Sequence, residues 1–197
     1  LEAPISNVSY SYYEPNNVPA GKQYLKMEVL EEWSPVKEGQ VANRKELDDF
    51  LNLLNRNPDR YVSAMFTKGA DPESLAVGYN VYEAKPDHYF VQVDNSGTKE
   101  LQWNPRFGYI NTNLLGYDDK LTAVYQVPLD SQWLDEYAIY GSYDFPIWGP
   151  KLRLNLFAGY NEFNIFDSGP ASFLGRGEFY GGQLRYNLFQ QNDWFFD

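Results

Sequence analysis

The sequence predicts a small α+β domain over residues 1–85, followed over residues 86–197 by antiparallel all-β strands of an incomplete transmembrane β-barrel. Helical periodicity is confined to the first of these regions. From Pro86 onward every structured segment reads with period two. The chain also carries 17 Tyr, 13 Phe and 5 Trp, yet its mean hydropathy is negative. Many rings beside many polar residues suit segments with one wet and one apolar face, which is how membrane β-strands alternate.

The elements follow in order. Ile5 to Tyr13 alternates weakly and reads as a strand, ended by the turn-like Glu14-Pro15-Asn16-Asn17. Gln23 to Trp33 holds Tyr24, Met27, Leu30 and Trp33 among Lys and Glu, with Leu25 and Val29 widening the stripe, so it reads as a helix. A second helix is clearer, because Leu47, Phe50, Leu51 and Leu54 fall at i, i+3, i+4 and i+7. Asn43 is placed to cap it, with Glu46 positioned to reach back in a capping box. Asn55-Arg56-Asn57-Pro58 ends it, since proline removes a donor and pushes its predecessor out of helical geometry. Two β-rich runs, Arg60 to Phe66 and Leu75 to Tyr82, flank a turn with Gly69 and Pro72. The resulting order is strand, helix, helix, strand, strand, which suits a sheet with one face buried under two helices.

Six strands are expected in the second region. Leu152, Leu154, Leu156, Ala158 and Tyr160 point one way, while Arg153, Asn155, Gly159 and Asn161 point the other. Tyr137, Ile139, Gly141, Tyr143 and Phe145 repeat the scheme against Ala138, Tyr140, Ser142 and Asp144; Leu184, Tyr186 and Leu188 do so against Gln183, Arg185 and Asn187. Tyr89 to Asp94, Arg106 to Leu115 and Leu121 to Val127 complete the set, with turns at Asn95-Ser96-Gly97 and Gly116-Tyr117-Asp118-Asp119. Gly181-Gly182, inside a strand pattern, marks a bulge, a bend or a close contact with a plug. The final aromatic stretch, Trp194-Phe195-Phe196, reads as the start of another strand. Alternation alone leaves a membrane barrel and a soluble β-sandwich equally open.

Composition excludes several function classes. A net charge of -11 argues against a nucleic-acid partner. The absence of cysteine removes disulfides, thiolate metal sites and thiol redox chemistry. No run approaches the ~20 apolar residues a spanning helix needs. The N-terminal Leu1-Glu2-Ala3-Pro4 has no basic-plus-apolar signal segment. No nucleophile elbow and no phosphate-binding glycine loop occur. His88, the single histidine, has no metal-ligand partner at useful spacing and reads as surface or interfacial. Glu31-Glu32, Asp48-Asp49 and Asp118-Asp119 read as solvated pairs, because adjacent residues do not face a common point. An enzyme, a metal and a cofactor are therefore not expected.

The junction of the two regions carries the most specific text. It runs from Leu54-Asn55-Arg56-Asn57-Pro58-Asp59-Arg60-Tyr61-Val62-Ser63-Ala64-Met65-Phe66 through Lys68-Gly69-Ala70-Asp71-Pro72 and Val81-Tyr82-Glu83-Ala84-Lys85-Pro86 to Val93-Asp94-Asn95-Ser96-Gly97-Thr98. This resembles the hemolysin secretion/activation proteins, the outer-membrane transporters of two-partner secretion, where their last POTRA domain passes into the barrel. Asn113-Leu114-Leu115-Gly116-Tyr117-Asp118-Asp119-Lys120-Leu121 is similar to the family's second hairpin. The resemblance implies an α+β POTRA domain (βααββ) followed by the first barrel strands, with bacterial outer-membrane lipid and an unfolded secreted exoprotein as partners. Members of the family have barrels of about sixteen strands, more than this chain holds at ~10 residues per strand plus turns. The family's arginine-glycine-aromatic lid loop is not matched by Gly175-Arg176-Gly177-Glu178-Phe179 and is expected beyond Asp197.

The resemblance also suggests where a substrate would bind. In POTRA domains the second strand lies at a sheet edge, here Arg60, Tyr61, Val62, Ser63, Ala64, Met65 and Phe66, and an extended chain can add to such an edge through main-chain hydrogen bonds. A loop or a neighbouring element covering that edge is the plain alternative. Asp144, Arg153, Asn155 and Arg185 are expected to line the barrel lumen as a polar path. A Bam-like insertase of other barrels, and a soluble β-sandwich binding module, are the alternative functions.

Overall fold

The computed structural model describes residues 3–71, 73–95, 103–127, 129, 137–161, 177–191 and 194–197. Leu1-Glu2, Pro72, Ser96-Gly97-Thr98 and Gly175-Arg176 of the motifs above lie outside these residues. The first region contains β1 (Ile5–Tyr13), α1 (Met27–Trp33), α2 (Arg44–Leu54), β2 (Arg60–Lys68) and β3 (Leu75–Glu83). β3 is central, with β1 parallel on one side and β2 antiparallel on the other. The strand, helix, helix, strand, strand order read from the sequence is therefore the order observed.

One face of this sheet meets the helices. Ile5, Leu25, Leu30, Leu47, Leu54, Val62, Val77, Tyr79 and Val81 form its core and are almost fully enclosed. The helical stripe read from Leu47, Phe50 and Leu54 is the buried one. Tyr79 keeps its hydroxyl satisfied by Ser34 Oγ at 2.6 Å. Burial pushes that hydroxyl up to about 12. Asn43 caps α2 by accepting the Lys45 N–H at 3.1 Å. Glu46 departs from the capping-box expectation, accepting instead from the Asn43 side-chain amide at 2.8 Å.

The second region is a six-stranded antiparallel meander: β4 (Asp87–Asp94), β5 (Asn104–Asn111), β6 (Lys120–Gln126), β7 (Ala138–Trp148), β8 (Leu152–Asn161) and β9 (Gly177–Tyr186), each hydrogen-bonded to the next. β5 ends earlier than alternation suggested, since residues 112–119 form a structured turn in which Asp119 accepts the N–H groups of Leu115 and Tyr117. β10 (Phe189–Gln191) and β11 (Trp194–Phe196) pair with each other rather than extending the meander. The final aromatic run thus belongs to a short hairpin, with Phe189 stacked on Phe196. No helix among the described residues is long and apolar enough to cross a membrane.

Register fixes which side chains share a face of the meander. Tyr143, Leu156 and Gly182 align across β7, β8 and β9, as do Phe145, Leu154 and Leu184. The other face carries Asp144, Asn155 and Gln183 in one row, and Pro146, Arg153 and Arg185 in the next. Burial is inverted relative to a water-soluble sheet. Gln126, Asp144 and Asn161 are buried, whereas Leu156 is 47%, Leu184 65% and Tyr180 87% exposed. Among the described residues Leu156 is exposed and Leu152 and Leu154 are only partly buried, not enclosed as the inner face of a sandwich would be.

The polar face is closed by rings lying over glycines on the neighbouring strand. Phe90 covers Gly108, Phe157 covers Gly181 and Phe179 covers Gly159; a Cβ at those glycines would fall 2.0, 2.6 and 2.4 Å from the ring. Gly181 is thus a seat for a side chain and not a bulge, since the β8–β9 register runs through it without a shift.

Candidate functional site

The first candidate surface is the edge formed by β2. Alternation turns Arg60 and Val62 inward, with Ala64 and Phe66 beside the same core, and turns Tyr61, Ser63 and Met65 to the opposite face. Tyr61 and Met65 are exposed. Tyr61 lies 6.2 Å from Tyr82, which stacks on Tyr13 at 5.3 Å. Tyr61, Ser63, Met65, Gly78, Asn80 and Tyr82 make this outward face uncharged.

The two sheet edges differ. The β1 edge is capped: Ile5 exchanges main-chain hydrogen bonds with Gln40 and Gly39, the Val8 N–H donates to Glu38, and Tyr12 O accepts from Ala20. On β2, Arg60 N–H donates to Asn57 O at 3.3 Å. The Asn55 side chain then grips Val62 twice, accepting its N–H at 2.6 Å and donating to its C=O at 3.0 Å. Beyond Val62, no strand of the described residues pairs with the outer side of β2.

The side chain of Arg60 is not presented to solvent, as a substrate-contacting role would want. It is 2% exposed, and its Nη2 donates to Leu54 O at 2.8 Å and to Asp118 Oδ1 at 2.5 Å. Its partner lies on the turn between β5 and β6. There begins an ionic chain missed by the sequence reading. Asp118 Oδ2 accepts from Arg153 Nη1, Arg153 Nε donates to Asp144 Oδ1, and Asp144 Oδ2 accepts from Arg185 Nη2, each at 2.6 Å. Asp144, Arg153 and Arg185 share the polar face of the meander and are tied to one another rather than left free. Asn155 sits in the same row as Asp144.

The Asp118-Asp119 pair is a correction to the solvated-surface expectation, because both residues are buried. Burial is tolerated because the acceptors are filled: Asp118 by two arginines, Asp119 by Leu115 N, Tyr117 N and the Tyr143 hydroxyl.

The same turn is stapled to the α+β region. Asn57 Nδ2 donates to Thr112 O at 2.8 Å, and Thr112 Oγ1 donates to Asp59 Oδ2 at 2.6 Å. Lys26 N–H donates to Gly116 O at 3.0 Å, and Lys26 Nζ stands 3.8 Å from the centre of the Tyr117 ring. His88 is interfacial, with Nε2 2.7 Å from Asp59 Oδ2. A polar cleft of about 220 Å³ between the end of α2 and this turn is walled by Arg56, Pro58, Asp118 and Arg153.

On the opposite side of Arg60 stands Glu83, whose carboxylate accepts Tyr24 N–H at 2.9 Å and Leu25 N–H at 2.8 Å. Burial nevertheless raises its pKa, outweighing these donors and the nearby Arg60. Among the described residues no group of three His, Asp or Glu is placed to hold a metal ion.

An α+β unit with one open sheet edge, joined through a buried ionic chain to a meander that is apolar outside and polar inside, defines the fold class. Solved structures share it. The chain is similar to CdiB from Acinetobacter baumannii (TM-score 0.58, 18% identity, covering 80% of this chain and 28% of that one). It is also similar to CdiB from Escherichia coli (TM-score 0.57, 16% identity, 94% of this chain and 34% of that one). A third likeness is to BamA from Haemophilus ducreyi lacking POTRA domains 1-3 (TM-score 0.51, 17% identity, 90% of this chain and 31% of that one). The chain therefore spans about a third of the length of each. No protein-family model matches the sequence, and no curated protein does.

Proposed function

We propose that this chain is the POTRA-to-barrel portion of an outer-membrane transporter of the two-partner-secretion type. Residues 1–85 act as a periplasmic POTRA domain and residues 86–197 as barrel strands. The observation that carries this reading is the inverted burial of the meander: Leu156, Tyr180, Leu184 and Val91 lie exposed while Asp144, Gln126 and Asn161 are enclosed. Such a sheet is unfavourable in water and favourable in a bilayer, where hydrocarbon covers the apolar side. The junction motifs, which resemble those of two-partner-secretion transporters, support the same reading, and the fold shared with CdiB is compatible with it.

In this mechanism an unfolded exoprotein first adds as a strand to β2, gaining main-chain hydrogen bonds with modest sequence demands. It then passes along the polar face that carries Asp144, Arg153, Asn155 and Arg185. Because those charges are mutually paired, the path is hydrated without offering a lone charge that would hold the passing chain. The second reading is a Bam-like insertase of other barrel proteins, with which the fold shared with BamA is equally compatible.

Photo-crosslinking in cells separates the two. A photoreactive residue at Met65 or at Asn155 of the full-length protein is expected to form adducts with one secreted polypeptide from both positions. Adducts with several outer-membrane barrel proteins would favour the insertase, and no polypeptide adduct from either position would contradict both readings.

A further inference from the structure

The open part of the β2 edge is shorter than the strand. In an antiparallel pair, successive residues alternate between exchanging hydrogen bonds with the partner and turning their N–H and C=O away. Both main-chain groups of Val62 are taken from outside by Asn55. The β2–β3 register then runs without a shift from Arg60 to Lys68. Ala64, Phe66 and Lys68 therefore turn their main-chain groups outward as Val62 does, and these have no partner among the described residues. The Arg60 N–H is taken by Asn57, and both groups of Val62 by Asn55.

Resting on the strand-addition reading above, we infer that Asn55 is a register stop: an incoming polypeptide pairs with β2 only along Ala64–Phe66–Lys68. The carboxamide of Asn55 presents one donor and one acceptor in the spacing of a peptide unit, so it occupies the place the next residue of an added strand would take. The window also sets the chemistry of the guest. Residues of the added strand that turn toward the helices meet Leu51, Ala64 and Phe66, which pack partly buried on the core. Residues that turn the other way meet Ser63, Met65 and Thr67. The guest is an amphipathic segment alternating apolar with small or uncharged polar residues, and it lacks proline where it must donate to β2.

Amide hydrogen exchange on the full chain in detergent micelles tests this, with a peptide of alternating Val and Thr as the probe. In the free protein Val62 is expected to exchange slowly, and Ala64, Phe66 and Lys68 quickly. The peptide slows the latter group by about an order of magnitude or more and leaves Val62 unchanged. A version of the peptide with proline at alternate positions gives no protection.

Asn55→Ala should free the Val62 amide and let the peptide protect it as well. Asn55→Asp keeps an acceptor for the Val62 N–H but turns a second oxygen toward its C=O, and serves if the alanine variant does not fold. With its donor to the Val62 C=O lost, the grip on Val62 should weaken, so that the peptide adds protection at Val62 in this variant too. Protection of Val62 by the peptide in the unaltered protein with Asn55 displaced, or no gain of peptide protection at Val62 in whichever variant folds, overturns the register stop and leaves strand addition standing. No protection anywhere on β2 overturns strand addition itself.

Discussion

Asp118 carries the largest single consequence. Its backbone is in the left-handed region, at φ 61°, which Asn tolerates at least as well as Asp. Asp118→Asn therefore removes the charge without forcing the turn, leaving Arg60 and Arg153 sharing a neutral amide. Loss of one partner from a buried ionic group costs about 3–5 kcal/mol. Denaturant unfolding should show a drop of that size, and a change below about 1 kcal/mol would mean that solvent compensates the arginines.

Glu83 behaves in the opposite sense to a surface carboxylate. Its folded-state pKa is raised, so the folded protein holds the proton more tightly than the unfolded chain. Its contribution to stability is greatest below the ordinary carboxylate value and declines as pH rises from there through the raised folded value. Melting temperature against pH should show this decline, and Glu83→Gln should flatten it. A decline of equal slope in the variant would assign it to other groups.

Gly159 is constrained by packing. A Cβ there meets Phe179 Cζ at 2.4 Å and the main-chain oxygen of Ile139 at 2.9 Å. Gly159→Ala should cost about 1–3 kcal/mol, as overpacking does, read from the heat or denaturant midpoint.

At the scale of elements, the strand and helix order was legible because each element carries its own period. Leu47, Phe50 and Leu54 announce a helix face; Leu152, Leu154 and Leu156 announce a strand face. Register was not legible. Period two says that Asp144, Arg153 and Arg185 belong to a polar side, but only the pairing of Arg153 with Arg185, one row from Asp144, brings them into a chain. The Asp118-Asp119 turn misled for a similar reason. Its acceptors are filled by residues far away in sequence, Arg60 and Arg153, and by a turn whose own main chain folds over Asp119. Asn55 was read as a helix terminator, with nothing local to show that it reaches seven residues on to Val62.

The β2 edge itself can be tested without disturbing the sheet. Ala64→Pro removes an outward N–H and no bond to β3, and proline is tolerated on edge strands in that position. The variant should melt within a few degrees of the unaltered protein while adducts from Met65 disappear. Retained adducts would place substrate contact elsewhere.

At the scale of the whole molecule, two arrangements depend on each other. The α+β unit is fixed to the meander by Arg60–Asp118, Asn57–Thr112 and Lys26–Gly116, so the β2 edge holds a set position relative to the polar face. That face in turn serves as a path only if the opposite one is covered by lipid. The chain has no cysteine, so single cysteines carrying an environment-sensitive fluorophore can be placed at Leu156, Leu184, Asn155 or Gln183 in vesicles containing lipids brominated in their acyl chains. The inverted sheet predicts strong quenching from Leu156 and Leu184 and little from Asn155 and Gln183. Equal quenching at all four, or none at Leu156 and Leu184, would contradict a bilayer-facing apolar side.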